Sequence, residues 1–497
     1  VGTMAGCVAI LHGWSDEGKS FQPLRQFLVD HGYDAREVFL GDYISLDDDV
    51  RVEDVAKRME DVVAGLMAAG QLAPTFDLIV HSTGALVARQ WLLDRHNARK
   101  PIPVKRLVML APANFGSKLA AVGKSMIGRL TKGLENHLQT GEQMLRALEL
   151  ASPYQWNLSR QDLLVPPGGT DASGPFAEGG VLPFVIIGTR AYDSGLQQIV
   201  NEDGSDGTVR VCAGNLNAVG LTIDFTPLGA PPTVQVWGSR MARPAPLAVL
   251  PERDHSEITH PEQDGDAAGD YGRRLGRLIL EALACDDLAT YEGIELAWRR
   301  LSNETALLAL GPEEAAAQAP LEDPPVPVPP PTIAQVFGDR DHPKPDHFHR
   351  YLQLVVMVRD DYGNFVDDYF LEFAEPRAGD EKSTITFHRD VLEGVHNNSI
   401  SPAFRCLYID HTDLIQVFYD DNTALAASLT AARPGRNIGY FDAAAQTGSG
   451  QILLHASDVG ARSAIPGRLR RNQTHFIEVI VPRRPVDKVF AFLPQDG

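Results

Sequence analysis

One stretch of this chain, residues 76–94, restricts the possible folds more than any other. An apolar run from Phe76 to Val80 leads into the turn His-Ser-Thr-Gly at 81–84, and a helix-compatible segment from Ala85 to Asp94 follows directly. A continuous apolar strand must be covered on both faces, and a helix that follows without a break can supply that cover. The stretch therefore predicts a buried strand of a parallel sheet, then a sharp turn with Ser82 at its centre.

Further apolar strands alternate with helical segments along the first 310 residues. Strands are predicted at 7–11, 35–40, 105–111, 181–187, 234–237 and 247–250, and helices at 21–31, 52–69, 271–284 and 288–310. Strands that alternate with helices of 10 or more residues are typical of a parallel sheet covered on both faces. The predicted fold class of residues 1–310 is therefore α/β.

Residues 117–167 interrupt this alternation and are predicted to form a helical cap. Within them, 117–134 has helical spacing of apolar residues and carries only basic charges, at Lys118, Lys124, Arg129 and Lys132. One interpretation is a cap helix that packs its apolar side over a pocket. The other is an interfacial helix whose cationic side binds phosphate headgroups.

A change of composition at 311–332 predicts a domain boundary. The segment passes from Ala and Glu to a proline-rich run, which is typical of an extended, semi-stiff linker. Beyond it, residues 333–497 form a predicted β-rich, sandwich-like domain. Its predicted strands are 352–358, 369–373, 384–387, 406–419, 476–481 and 489–493.

Charge and cysteine content limit the possible partners and compartments. The formal net charge of −20 argues against nucleic-acid binding, which needs surfaces rich in Lys and Arg. The four cysteines are scattered, so we expect free thiols in a reducing compartment. No apolar run approaches 18 residues and no signal segment is recognisable, so we expect a cytoplasmic or peripherally membrane-associated protein.

The turn at Ser82 has candidate partners in the order that serine hydrolysis requires. A serine hydroxyl becomes a nucleophile when a histidine accepts its proton and a carboxylate orients that histidine. In α/β-hydrolases the chain order is serine, acid, histidine. Asp206 lies in an Asp-Gly-Thr-Val loop after strand 181–187, and His255 follows strand 247–250. Ser82, Asp206 and His255 are the predicted catalytic triad.

Alternatives exist for two of these positions. Asp203 also precedes a glycine and competes with Asp206, whose Asp-Gly-Thr-Val context is the form that this loop takes in many lipase-like hydrolases. His260 and His81 compete with His255. His260 lies farther from the strand end, and His81 is expected to point away from Ser82 because neighbouring strand residues face opposite sides.

Two backbone amides are the predicted oxyanion donors. One belongs to Thr83, directly after the nucleophile, and the other to Trp14 in the loop after the first strand, with Ser15 as the reserve. This chemistry requires no cofactor. His342, His347 and His349 lie close together, but proline interrupts them and their spacing fits no zinc pattern, so we interpret them as a solvated strand entry.

Four segments resemble the PlaB-type bacterial phospholipases A. These are His-Ser-Thr-Gly at 81–84, Ser-Asp-Gly-Thr-Val-Arg-Val at 205–211, Ala-Gly-Asn-Leu-Asn at 213–217 and Asp-His-Ser at 254–256. The segment 110–117, Leu-Ala-Pro-Ala-Asn-Phe-Gly-Ser, is shared with lipases more broadly. Where the family has threonine, this chain has Val80, which is nearly isosteric but lacks the hydroxyl.

The resemblance implies an α/β-hydrolase domain with a C-terminal β-sandwich. It implies hydrolysis of acyl esters of phospholipids and lysophospholipids, peripheral association with a membrane, and self-association. It also implies Ser82 as nucleophile, Asp206 as acid and His255 as base. A lipid acyltransferase or a general carboxylesterase or lipase would use the same site. From another class, the chain could be a lipid-binding scaffold with a vestigial site.

Overall fold

The computed structural model describes residues 6–11, 21–38, 49–120, 141–192, 201–227, 232–261, 273–338, 343–374, 381–418, 424–432, 434–440, 451–455 and 469–485. The strands are β1 (Cys7–Leu11), β2 (Asp34–Val38), β3 (Phe76–His81), β4 (Val104–Leu110), β5 (Leu164–Val165), β6 (Leu182–Gly188), β7 (Val219–Asp224), β8 (Thr233–Val236), β9 (Gly238–Ser239), β10 (Leu247–Leu250), β11 (Tyr351–Asp360), β12 (Tyr369–Ala374), β13 (Leu392–Asn397), β14 (Phe404–Asp410), β15 (Ala424–Ala431), β16 (Ile438–Gly439), β17 (Gln451–His455), β18 (Gln473–Val481) and β19 (Arg484–Pro485).

The helices are α1 (Gln22–Asp30), α2 (Val52–Ala68), α3 (Gly84–Asn97), α4 (Glu142–Leu148), α5 (Pro153–Asp162), α6 (Val211–Gly214), α7 (Arg274–Leu283), α8 (Leu288–Leu307), α9 (Pro312–Gln318), α10 (Ile333–Phe337), α11 (Glu381–Asp390) and α12 (His411–Phe418). Short 3-10 helices lie at Glu257–Thr259, Ala319–Leu321 and Pro345–Phe348. Within the described residues, no helix is both long enough and apolar enough to cross a membrane.

The chain divides into two compact units. The first contains Val1–Leu164, Asp171–Asn217 and Ser239–Arg350. The second contains Val165–Thr170, Ala218–Gly238 and Tyr351–Gly497.

The first unit is built around a six-stranded sheet in the order β10-β6-β4-β3-β1-β2. Every neighbouring pair in it is parallel. Strand β3 is buried along its whole length, and α3, which follows it, is buried on nearly every side. This confirms the predicted α/β class and the α/β-hydrolase fold. The strand order reverses between β1 and β3, and open α/β sheets bind ligands at such a switch point, beyond the carboxyl ends of the strands.

The second unit contains two larger sheets. Its six-stranded sheet has the order β13-β14-β11-β18-β7-β8, and its three-stranded sheet has the order β12-β15-β17. Apolar side chains of both sheets share one core with Phe387 of α11 and Leu414 of α12. The β-rich unit therefore also uses helices to cover its core.

One strand predicted for the first sheet belongs to the second unit. The predicted strand 234–237 corresponds to β8, which pairs antiparallel with β7. Strand β7 in turn pairs in parallel with β18, and its residues Leu221 and Ile223 are buried in the second core. The prediction that residues 234–237 belong to the first sheet was wrong. Local patterns do not reveal that β7, the neighbour of β8, pairs with β18, which lies about 250 residues further along the chain.

Two predicted strands of the second unit are partly or wholly helical. Residues 384–387 lie in α11, where Phe387 stacks on Phe373 with 4.8 Å between ring centroids. Of the predicted strand 406–419, only the part up to Asp410 is strand, in β14, and α12 begins at the next residue. Asp410 Oδ1 caps this helix by accepting a hydrogen bond from the Asp413 amide at 3.0 Å. A carboxylate that accepts a hydrogen bond from an amide of the first helical turn favours the start of a helix. The sequence-based prediction followed the alternating apolar pattern and missed this cap. The predicted strand 489–493 lies outside the described residues.

The predicted linker 311–332 is part of the first unit. Gly311 precedes α9, and Ala315, Ala319 and Val326 form a small core with Leu307. The carbonyl oxygen of Pro324 accepts a hydrogen bond from the Asn303 side chain at 3.2 Å. Through these contacts the proline-rich run packs against α8 and does not act as a free spacer. The division between units falls after Arg350.

Candidate active site

Ser82 occupies a strained turn at the carboxyl end of β3. Its φ is +52°, in the left-handed region that residues other than glycine seldom adopt. Hydrogen bonds hold this conformation: the Ser82 amide donates to Leu110 O at 3.0 Å, and the Ser82 carbonyl accepts from the amides of Ala85 and Ala113. Such strain persists only where the surroundings impose it, and it is typical of functional turns.

The structure brings Ser82, His255 and Asp206 together, although they follow three different strands. They lie beyond the carboxyl ends of β3, β10 and β6, respectively. His255 Nε2 lies 3.0 Å from Ser82 Oγ, and His255 Nδ1 lies 2.8 Å from Asp206 Oδ2. A carboxylate only accepts hydrogen bonds, so the histidine proton lies on Nδ1 and Nε2 is free to accept the serine proton.

Asp206 is held rigidly on both sides of its carboxylate. It is 0% exposed, and its Oδ1 accepts hydrogen bonds from the amides of Thr208 at 3.0 Å and Val209 at 2.8 Å. Its carbonyl oxygen accepts a further hydrogen bond from the His255 amide at 2.9 Å. The acid therefore positions the histidine through its backbone as well as through its side chain.

Glycine is required next to the acid. Gly207 has a φ of +91°, and a Cβ there would lie 2.6 Å from the ring of Tyr192. The Tyr192 hydroxyl contacts Thr208 Oγ1 at 2.9 Å, and the Asn201 side chain bonds both the amide and the carbonyl of Tyr192. Burial, followed by the nearby negative charge of Asp206, raises the pKa of Tyr192, so its hydroxyl stays neutral.

The competing candidates Asp203 and His260 have other partners. Asp203 Oδ1 lies 3.3 Å from His347 Nδ1, and this hydrogen bond lowers the pKa of Asp203. His260 Nδ1 contacts Ser256 O at 3.2 Å and Thr259 Oγ1 at 3.1 Å. The geometry therefore places Asp206 and His255, rather than Asp203 and His260, in line with Ser82.

His81 has a positioning contact that sequence reasoning missed. Its Nε2 lies 2.9 Å from the carbonyl oxygen of His255, and the two rings are 4.8 Å apart between centroids. His81 is buried, and its ring packs in a T-shaped arrangement with that of Phe21, with 5.8 Å between the centroids. The alternation of strand side chains indicated its direction relative to Ser82 but not the distant carbonyl that it reaches.

A buried ion pair lies behind the serine turn. Arg89 on α3 and Asp162 on α5 are both 0% exposed, and Arg89 Nε donates to Asp162 Oδ2 at 2.8 Å. Burial raises the pKa of Asp162, and the charge of Arg89 opposes that rise. Arg89 also donates to the carbonyl of Asn114 at 3.1 Å. Helix α3 is thereby tied to the segment after β4.

Polar residues of segment 110–117 contact the loop that carries Asp206, residues 202–211, here called the acid loop, and the helix that follows it. The Asn114 side chain donates to Gly214 O at 2.8 Å, and Ser117 Oγ donates to Thr208 O at 2.6 Å. Segment 110–117 therefore contacts both ends of residues 208–214, at Thr208 and at Gly214.

The predicted oxyanion donors are only partly described. Thr83 is the residue that precedes α3, so its amide lies at the positive end of the helix dipole. Trp14 and Ser15 lie outside the described residues, as do 121–134 of the predicted basic helix and His342. Of the other two histidines, His347 contacts Asp203 as above and His349 Nε2 lies 3.8 Å from Asp346.

Comparisons with known proteins agree with this architecture. No family model and no curated protein matches the sequence. Among solved structures, phospholipase PlaB from Legionella pneumophila matches with a TM-score of 0.73 and 22% identity, over 99% of this chain and 97% of that chain. The chain has the PlaB fold. A second structure of PlaB, in complex with thio-NAD, matches with a TM-score of 0.72, 21% identity and the same coverage of both chains. The predicted resemblance is thus confirmed at the level of the fold, over both units.

Proposed function

We propose that this chain is a serine hydrolase that cleaves acyl esters of glycerophospholipids and lysophospholipids. The observation that carries the proposal is the unbroken line of contacts from Ser82 Oγ to His255 at 3.0 Å and on to Asp206 at 2.8 Å. Three residues separated by up to 173 positions meet with the geometry that activates a hydroxyl. The strained turn at Ser82 supports the same role.

In the proposed mechanism the ester is cleaved in two steps. His255 Nε2 accepts the Ser82 proton as Oγ attacks the ester carbonyl, and the amides of Thr83 and Trp14 stabilise the oxyanion. His255 then donates its proton to the departing alcohol oxygen, which leaves an acyl group on Ser82. Water, activated by His255, releases the fatty acid and restores the hydroxyl. Asp206 orients the ring and stabilises its positive charge in both steps.

The phospholipid specificity rests on the likeness to PlaB, whose name describes it as a phospholipase. The motifs at 81–84, 205–211 and 254–256 support the same substrate class. Peripheral binding to a membrane surface and self-association of the chain are further parts of the proposal.

A covalent probe and three substrates test this function. We expect a fluorophosphonate to label the wild type, and the wild type to release fatty acid from phosphatidylcholine vesicles, lysophosphatidylcholine micelles and p-nitrophenyl butyrate. Ser82→Ala should lose labelling and roughly 10⁴-fold or more of each activity, as is typical for removal of a triad nucleophile. Its melting temperature should stay close to that of the wild type.

Other outcomes would replace the proposal with one of its alternatives. Hydrolysis of the butyrate ester alone would indicate a general carboxylesterase. Transfer of the acyl group to an added lipid alcohol in preference to water would indicate an acyltransferase. A wild type that neither reacts with the probe nor hydrolyses any ester would indicate a lipid-binding scaffold.

A further inference from the structure

The loop that carries the catalytic acid is attached to a distant segment of the first unit. This segment is the 3-10 helix Pro345–Phe348. The Gly204 amide donates to His347 O at 3.1 Å, and His347 Nδ1 lies 3.3 Å from Asp203 Oδ1. One histidine thus contacts the acid loop through both its backbone and its side chain, three residues or fewer from Asp206.

His347 is a fixed anchor for that loop. It is 5% exposed, and its amide donates to Lys344 O at 3.0 Å. Its neighbour Phe348 is buried in an apolar cluster with Leu308, Val336 and Phe337. The ring of His347 is therefore held in place by the packing of the neighbouring residue. The Asp203 side chain, in contrast, is half exposed and needs a partner to stay ordered.

Contacts inside the loop connect Asp203 to the catalytic acid. The Val211 amide donates to Gly204 O at 3.0 Å, which closes the loop at its base. Ser205 Oγ donates to Glu202 O at 2.6 Å and accepts from the Gly207 amide at 3.2 Å. A displacement of Asp203 or Gly204 would therefore displace Asp206 as well.

On this basis we propose that Asp203 and His347 are a positioning pair that holds the acid loop so that Asp206 meets His255 in the reactive geometry. The inference rests on the proposed function of the triad and extends it to two residues that do not touch the substrate. A displacement of about 1 Å in a catalytic group can lower the rate by up to about 100-fold.

The test compares deletion of each side chain with replacements that keep its hydrogen bond. Asp203→Ala and His347→Ala remove the contact. Asp203→Asn keeps an acceptor oxygen, and His347→Asn places an amide nitrogen near the position of Nδ1. Asp346→Ala is the matched control, because it removes from the same 3-10 helix an exposed carboxylate that lies near His349 rather than Asp203.

We expect each alanine variant to lower kcat for p-nitrophenyl butyrate roughly 10-fold with KM within about twofold of the wild type. The two asparagine variants should keep at least half of the wild-type kcat, and Asp346→Ala should match the wild type. The double alanine variant should be no slower than the slower single variant, because both changes break one interaction. Since Asp203 is half exposed, Asp203→Ala suffices if His347→Ala does not fold.

Three results would overturn the pairing. These are an unchanged kcat in Asp203→Ala, asparagine variants as slow as the alanine variants, and single effects that multiply in the double variant.

A spectroscopic measurement separates this inference from the proposed function. The proton shared by His255 Nδ1 and Asp206 gives a low-field NMR resonance that needs no turnover, and its loss in His255→Gln assigns it. We expect this resonance to shift or broaden in Asp203→Ala and to remain in Asp203→Asn and Asp346→Ala. An unchanged resonance in Asp203→Ala would refute the positioning role even if the wild type hydrolysed no ester.

Discussion

At the scale of single residues, backbone geometry decides where the triad can form. Ser82 has a φ of +52°, which turns its side chain out of the line of β3. Gly188 ends β6, and a Cβ there would lie 1.9 Å from the carbonyl oxygen of Arg253. The chain that leads to His255 can pass the end of β6 only because residue 188 has no side chain.

Gly207 allows a direct test of this close packing. In Gly207→Ala the new methyl group would meet the Tyr192 ring at 2.6 Å, in a conformation with a φ of +91°. The acid loop must move, so we expect kcat to fall roughly 10- to 100-fold and the free energy of unfolding to fall by about 1–3 kcal/mol. Ester hydrolysis and urea unfolding measure the two effects.

The control is Gly293→Ala, because Gly293 lies in α8 and nothing would lie within 4 Å of its Cβ. That variant should keep its kcat and be equally or more stable. A Gly207→Ala protein with the kcat of the wild type would contradict the packing around Tyr192.

At the scale of elements, α3 links the serine turn to the surrounding helices through charged side chains. Arg89 forms its buried ion pair with Asp162 of α5. On another side, Glu60 of α2 accepts hydrogen bonds from Trp91 and Arg95 of α3, both at 2.7 Å, and from Lys100 at 3.0 Å. Helix α3 is therefore held on two sides by polar contacts as well as by apolar packing.

The Glu60 cluster should make stability depend on pH. Partial burial alone would raise the pKa of Glu60, but the hydrogen bonds from Trp91, Lys100 and Arg95 outweigh it and lower the pKa from 4.5 to about 2. A carboxylate whose pKa is lower in the folded than in the unfolded state stabilises the fold above its unfolded pKa. This stabilisation is lost as the pH falls from about 4.5 to about 2.

We therefore expect Glu60→Gln to lower the free energy of unfolding by about 1–2 kcal/mol at pH 7. Urea unfolding of both proteins between pH 7 and pH 3 should show the difference narrowing below about pH 4.5. A Glu60 difference that stays constant over this range would contradict the proposed contribution of its ionised form.

At the scale of the whole molecule, the two units are interleaved along the chain. Ala218–Gly238 leaves the first unit, adds β7 and β8 to the second sheet, and the chain then returns to the first unit at Ser239. Strand β7 depends on β18 as its parallel neighbour and contributes Leu221 and Ile223 to the second core. The first unit can therefore not be separated by a single cut.

A chain that ends after Arg350 should consequently be poorly soluble. Without β18, the edge of β7 and the apolar side chains of Leu221 and Ile223 would be exposed, which favours aggregation. The comparison is the same truncation with residues 218–238 replaced by a glycine-serine linker, which we expect to be more soluble. Size-exclusion chromatography after expression measures the difference, and a soluble, monomeric first variant would contradict the dependence of β7 on β18.

Much of the first unit and its site could be predicted from local patterns. Strands predicted at 7–11, 105–111, 181–187 and 247–250 lie within one residue of β1, β4, β6 and β10. Ser82, Asp206 and His255 were found because each follows a buried strand, and a parallel sheet brings the carboxyl ends of its strands to one edge. Chain order and strand position selected Ser82 and His255, whereas the Asp-Gly-Thr-Val context favoured Asp206 over Asp203.

The remaining contacts were decided by the tertiary structure alone, because they join residues that are distant in the chain. The sequence by itself determined that Ser82 follows a buried strand and precedes a helix. It could not determine that β7 pairs with β18, that His81 contacts the carbonyl of His255, or that Asp203 contacts His347 and not His255. Strand periodicity and turn composition are set by neighbouring residues, whereas these contacts exist only once the sheets have formed and packed.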